Sequence, residues 1–108
     1  MKLAAHQFDI VVALGAGPAH GYEIMKRVDQ LRGGKKDLGP AQLYTGLQKL
    51  LDLGLIEEIA SDDPRRRVYE LTQKGVGARV GYLREQMEFI QRAQEMEQSG
   101  LAEKGRGS

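Results

Sequence analysis

Cysteine is absent from this 108-residue chain, and so is tryptophan. The first absence excludes disulfides and thiolate-held metal sites and fits a reducing compartment. The second, with only two Phe and four Tyr, leaves a flat aromatic ligand few partners to stack on. Neither sign of charge dominates. Sixteen Lys plus Arg face 15 Asp plus Glu, for a net charge of +1, so a polyanionic partner can be argued only from where the charges sit. Long hydrophobic runs are missing too: none approaches the roughly 20 apolar residues that cross a bilayer. The first residues, with His6, Gln7 and Asp9, do not form a secretory leader. The expectation is a cytoplasmic protein without membrane contact. Catalytic groupings are lacking as well. His6 and His20 have no ligand-type residue at metal spacing except Glu23, three after His20, and a His at a helix start is more often bonded to backbone. No nucleophile–base–orienter set or phosphate-cradling glycine loop occurs. No enzymatic activity, metal or cofactor is expected.

An apolar content of 41% is enough to fold one domain, with a small core. Residues 3–15 carry Leu3, Phe8, Ile10, Val11, Val12 and Leu14 at three- and four-residue spacing, which predicts a helix. Its two apolar sets point to different faces, and the second face asks for a surface beyond a domain this small, such as another subunit. Residues 21–32 place Ile24, Met25, Val28 and Leu31 on one stripe and stop at Gly33-Gly34, an amphipathic helix with a glycine end. A third helix opens at Pro40, suited to the first helical position, and turns Leu43, Leu47, Leu50 and Leu51 inward before Gly54. Leu55–Ala60 and Val68–Thr72 then read as strands joined by Ser61-Asp62-Asp63-Pro64, with Arg65, Arg66 and Arg67 at or just past the tip. Thr72 can cap a last helix, where Val76, Val80, Leu83, Met87 and Ile90 form one stripe and Tyr82, Phe89, Ala93 and Met96 another. Gly77 and Gly81, four apart on that helix, either admit another backbone or are simply tolerated; Gly75 lies in the first turn, where its cost is small.

This order predicts a mainly α fold with a small β-hairpin (α+β): a winged helix-turn-helix over residues 1–72, a C-terminal dimerisation helix over 73–98 and a disordered, Gly-rich tail over 99–108. Three segments, HGYEI at 20–24, GPAQLYTGLQKLLDLGLIEE at 39–58 and RRRVYELTQKG at 65–75, resemble the signature segments of PadR-type transcriptional regulators. The resemblance runs over roughly residues 8–75 in order and spacing. It implies a homodimer built by the C-terminal helix against its mate and the partner's first helix. It also implies a regulator, expected to be a repressor of an inverted-repeat operator, released by a small-molecule or other signal of unidentified chemistry. This chain departs from the family at Gly39, a cap without a side-chain acceptor, and at Ala41-Gln42 and Thr45, so its base-reading positions are its own.

The expected DNA-contacting residues follow. The outer face of the third helix offers Gln42, Thr45, Gly46 and Lys49: Gln42 for an adenine edge, Thr45 for a thymine methyl or a phosphate, Gly46 for close approach to the duplex. Tyr44 is implied by the resemblance as a phosphate donor, though a partly buried aromatic would read the same. Lys35 and Lys36 are expected phosphate anchors, and Arg65, Arg66 and Arg67 the basic wing, with Asp62 and Asp63 able to neutralise it. Strand alternation would prevent Arg66 and Arg67 from facing the same way. Phe8, Val12, Val80, Leu83, Met87, Phe89 and Ile90 are the expected dimerisation residues. From another class, a winged-helix protein-interaction adaptor without specific DNA binding fits the near-neutral charge.

Overall fold

A computed structural model describes residues 2–107, with side chains up to Gly100. Seven elements follow one another: α1 (Ala5–Leu14), β1 (Ala19–His20), α2 (Gly21–Leu31), α3 (Pro40–Asp52), β2 (Ile56–Ile59), β3 (Val68–Leu71) and α4 (Gln73–Gly107). Helices α1, α2 and α3 bury Ile10, Val11 and Leu14, Ile24 and Val28, and Leu43, Leu47 and Leu50 against one another. Leu55, Ile56 and Tyr69 close the core from the sheet side. Two helix ends are set by glycine. After α3, Gly54 (φ 72°) lets its own N–H reach the Leu51 carbonyl and that of Leu55 reach the Leu50 carbonyl, both at 3.0 Å. After α2, Gly33 and Gly34 donate in the same pattern to Gln30 and Asp29.

The hairpin is confirmed, slightly shorter than expected, and a third strand joins it. The order is β1-β3-β2, all antiparallel, with Ala19 opposite Tyr69, His20 opposite Val68, Ile56 opposite Leu71 and Ile59 opposite Val68. Two residues are too few to show alternation, so β1 left no periodic signal. The first helix finds more partners within its own chain than its two faces suggested. Arg27 donates to the carbonyls of Ala13 (3.2 Å) and Gly17 (2.7 Å), and Arg79 to that of Val12 (3.0 Å). Two cations thus serve carbonyls at and just beyond the C-terminal end of α1, where free acceptors and the helix dipole favour them. Arg32 holds the other flank through a bidentate bond to Asp9, Nε to Oδ2 at 2.9 Å.

Helix α4 starts as the sequence suggests: the Thr72 hydroxyl accepts from the Gly75 N–H at 3.1 Å. The same hydroxyl donates to the Gly54 carbonyl (2.6 Å), Lys74 Nζ donates to the Leu53 carbonyl (2.8 Å), and the Thr72 N–H donates to the Leu55 carbonyl (3.1 Å). Three successive carbonyls after α3 are therefore gripped by the root of α4. Gly75 belongs to this grip, because a Cβ there would stand 1.9 Å from the Leu55 carbonyl oxygen. Gly77 and Gly81 have nothing within 4 Å of a Cβ. The helix runs to Gly107 rather than ending near 98. Leu101, Ala102, Glu103 and Lys104 are strong helix formers, and the lone Gly100 is tolerated between them and the preceding turns; Ser108 lies outside the described residues. Beyond Leu83 every described residue of α4 is exposed. The arm stretches the molecule to 68 × 28 × 20 Å and its radius of gyration to 18.0 Å, against about 13 Å for a compact chain of this size.

Candidate nucleic-acid interface

The start of α2 is shaped to admit α3. His20 caps it, its Nδ1 accepting from the Glu23 N–H at 3.4 Å, which is the backbone role expected of it. Gly21 is buried, and a Cβ there would meet Leu43 at 3.2 Å and the Tyr44 hydroxyl at 3.4 Å. Tyr44 accordingly rests its hydroxyl over the first turn of α2 while 60% of the residue stays exposed. It is thus no core aromatic. The wing completes the arrangement. Tyr44, His20, Tyr22, Tyr69 and all three of Arg65, Arg66 and Arg67 line one open concavity of about 470 Å³. The arginines precede β3 and sit in the turn, so strand alternation does not separate them. Tyr22, 65% exposed, was not among the expected site residues. Its signal was an aromatic in the first turn of an amphipathic helix, off the apolar stripe.

The wing arginines are held by acids. The Arg65 N–H and Nε donate to Asp63 Oδ1 at 2.9 and 3.4 Å, Arg66 lies 4.0 Å from Asp63 Oδ2, and Arg67 lies 3.7 Å from Glu58. Asp62 takes no part in an ion pair among the described residues. These guanidinium groups are largely exposed, and such pairs contribute about 0–1 kcal/mol, so an incoming phosphate can displace the acids. Burial raises the phenol pKa of Tyr69, while Arg67 beside it acts the other way.

The remaining expected contacts are spread out. Thr45 and Lys49 lie exposed on the outer side of α3. Gln42 is exposed too but lines a different cleft, with His6 and Asp9 of α1 and Arg32 just past the end of α2. Lys35 and Lys36 line a third hollow with Tyr22 and Lys26. Gly46 corrects an expectation outright. It is buried, and a Cβ there would come within 2.8 Å of Ile10, so its smallness serves the α1–α3 contact and not approach to a duplex. At three- and four-residue spacing it falls on the side of Leu43, Leu47 and Leu50, whereas Ala41, Thr45 and Gln48 point away from the core.

Of the expected dimerisation residues, Phe8 stacks on Tyr82 of its own chain, ring centroids 4.1 Å apart and planes 13° from parallel. Val12 and Leu83 are half-buried. Val80, Met87, Phe89 and Ile90 are exposed by 46–71%, with no cover from the described residues. Among those residues no group of three or more His, Cys, Asp or Glu could hold a metal, and no helix is long and apolar enough to cross a membrane.

The family model described as the transcriptional regulator PadR-like family matches residues 10–79. Among solved structures, RosR of H. salinarum is 27% identical, with a TM-score of 0.67 over 86% of this chain and 94% of that one. A transcriptional regulator from Clostridium thermocellum, Cth-833, is 21% identical (TM-score 0.68; 82% and 89% covered). ZitR of Lactococcus lactis, a zinc-responsive MarR family member, is 23% identical (TM-score 0.68; 89% and 62% covered). The latter two speak for the winged-helix fold alone. No curated protein matches the chain.

Proposed function

We propose, for a chain that belongs to the PadR-like family of transcriptional regulators, that it is a homodimeric, sequence-specific DNA-binding repressor of an inverted-repeat operator, released by a small-molecule or other signal. One observation carries this reading. The recognition-type helix, the N-terminus of α2 and the three wing arginines share a single concavity. Such a surface offers a phosphate strand a tyrosine hydroxyl, the N-terminal end of a helix and guanidinium forks together. Thr45 enters the major groove from the outward side of α3, with Lys49 and Gln42 flanking it. Base reading falls to Thr45 first. The near-neutral net charge is then no obstacle, since the cations are local.

The arm supports the second half of the reading. Val80, Met87 and Ile90 continue one apolar stripe and Phe89 the other, on a helix of about 52 Å at 1.5 Å per residue. A stripe of this kind on a projecting helix is stabilised by a second copy. Two-fold pairing would then present two recognition helices about 34 Å apart, one helical turn of DNA.

A gel-shift salt titration on the DNA upstream of the protein's own reading frame tests this. Nanomolar, sequence-selective binding that weakens steeply with salt is expected. The Arg65→Ala/Arg66→Ala/Arg67→Ala variant should weaken binding alike for all sequences. It should also lower the log–log salt slope by about 2–3, at roughly 0.9 for each phosphate no longer neutralised. Thr45→Ala should instead change preference between sites, with Gln42→Ala doing so less. The wing's pairing with Asp63 and Glu58 favours the adaptor alternative, in which the basic tip is neutralised at home. Absence of any binding at low salt would decide for it.

A further inference from the structure

The wing arginines all have acidic partners, but the lysines around the α2–α3 loop do not. Lys26, Lys35 and Lys36 take part in no ion pair among the described residues. They surround a cleft of about 460 Å³ between α2 and that loop. Its floor is apolar, formed by Met25, Leu38 and the ring of Tyr22, over which Lys26 Nζ sits 5.7 Å from the centroid. Asp29 belongs to the same wall, and its Oδ1, shut off from solvent, has no hydrogen-bond partner among the described residues. A buried carboxylate oxygen without a donor is uncommon, and its presence calls for a group that can supply one. The volume falls within the range of small-molecule pockets, and the lining has their usual make-up: mostly apolar walls with a few convergent polar groups.

We propose that this cleft binds a small amphipathic organic anion. Its flat or compact apolar body lies against Tyr22, Met25 and Leu38, its acidic group among Lys26, Lys35 and Lys36, and an N–H or O–H donor meets Asp29. The charge balance of the lining, three cations to one anion, selects a net-negative ligand over a cationic one. The site has a regulatory consequence, which rests on the DNA-binding reading above. Lys35 and Lys36 are the loop's phosphate anchors, and Tyr22 lines both this cleft and the wing concavity. An occupied cleft therefore withdraws two cations and repositions an aromatic at the edge of the DNA surface.

The probe is 8-anilinonaphthalene-1-sulfonate, which carries an anionic group, an apolar body and one N–H donor, titrated into the intact DNA-free protein and followed by amide NMR. Saturable shifts are expected at Tyr22, Met25, Lys26, Asp29 and Lys35 to Leu38. Lys35→Glu/Lys36→Glu should weaken the probe at least about tenfold, the equivalent of roughly 1.4 kcal/mol, and Glu97→Gln on the arm should leave it unchanged. Asp29→Ala should weaken this probe but not naphthalene-1-sulfonate, which lacks the donor. Shifts confined to Met87, Phe89 and Ile90, or no saturation at millimolar probe, would overturn the site. Saturable binding in the cleft that leaves affinity for operator DNA unchanged would overturn the regulatory link. Failure to bind DNA with the cleft intact would sink the DNA-binding reading and leave the site standing.

Discussion

Replacing Gly75 by Ala should destabilise the protein although alanine is the better helix former, because of where that residue sits. A Cβ at 75 would stand 1.9 Å from the Leu55 carbonyl oxygen, 3.0 Å from its carbon and 3.2 Å from a Leu71 methyl. The obstacle is backbone, and it cannot swing aside as a side chain could. Helix α4 must instead back away by about 1.5 Å, the difference between this 1.9 Å contact and an ordinary approach of 3.4 Å. The bonds that fix α4 to the end of α3 all lie within this shift: Thr72 Oγ1 to Gly54, Lys74 Nζ to Leu53 and the Thr72 N–H to Leu55. Overpacking costs about 1–3 kcal/mol, and weakening two or three bonds adds about 1 kcal/mol each. The gain in helix propensity offsets about 1 kcal/mol, leaving a net loss of about 2–5 kcal/mol. Gly77→Ala is the control. It lies two residues on in the same helix, with nothing within 4 Å of the new methyl, and should stabilise by up to about 1 kcal/mol. Urea unfolding at one fixed protein concentration reads both, as opposite shifts of the midpoint with an unchanged slope. Equal effects at the two positions would refute the packing argument, and a stabilising Gly75→Ala would refute the grip itself.

Thr72→Val keeps the shape but removes both the donor to Gly54 and the cap of Gly75, and should cost about 1–2 kcal/mol in the same assay; a neutral result would show that the cap carries no weight. Gly39→Ser should gain a few tenths of a kcal/mol, since the cap residue has extended backbone (φ −85°, ψ 167°) and open space for a side chain; a loss of stability would show that a serine hydroxyl cannot reach the free N–H groups there. Glu57 and Glu70 are directly opposed across the hairpin, and the bond from Glu57 is the first cause raising the Glu70 pKa above its ordinary value. A raised acid pKa means that the folded state favours the protonated form. That contribution is present below the ordinary glutamate value and is lost as pH rises through the folded one. The melting temperature of Glu57→Gln should therefore gain on the wild type as pH rises from about 4 to about 6.5; parallel curves would exclude the pair as the cause.

What the sequence disclosed follows from how far each signal reaches along the chain. Helices α1, α2 and α3, the hairpin and the Thr72 cap are local: each is written in spacing and end residues within about a dozen positions. Contacts between distant segments were hidden. Nothing in the sequence assigns Arg27 or Arg79 a partner, and only the fold shows them holding the end of α1. The three glycines of early α4 are indistinguishable by composition, yet one is pressed on a carbonyl and two face open space. Gly46 was misplaced for a similar reason. On a helix with four buried positions per thirteen residues, the edge of the apolar face falls within one residue of the outer one, and Ile10 decides the matter from another helix.

The same distinction between local and distant signals bears on the wing. Composition puts three arginines beside two aspartates and cannot rank cancellation against contact. Geometry divides them: Asp63 takes Arg65 and Arg66, Glu58 takes Arg67, and Asp62 is left out of the ion pairs among the described residues. Each pair is exposed and weak, so the acids keep the guanidinium groups ordered at little cost to their release. A phosphate that replaces Asp63 meets two arginines already gathered in one turn, with the Tyr44 hydroxyl facing the same concavity. Preorganisation of this kind lowers the entropy lost on binding. On the proposed DNA-binding reading, the acids beside the wing tune the interface and do not abolish it, which reconciles that reading with a net charge of +1.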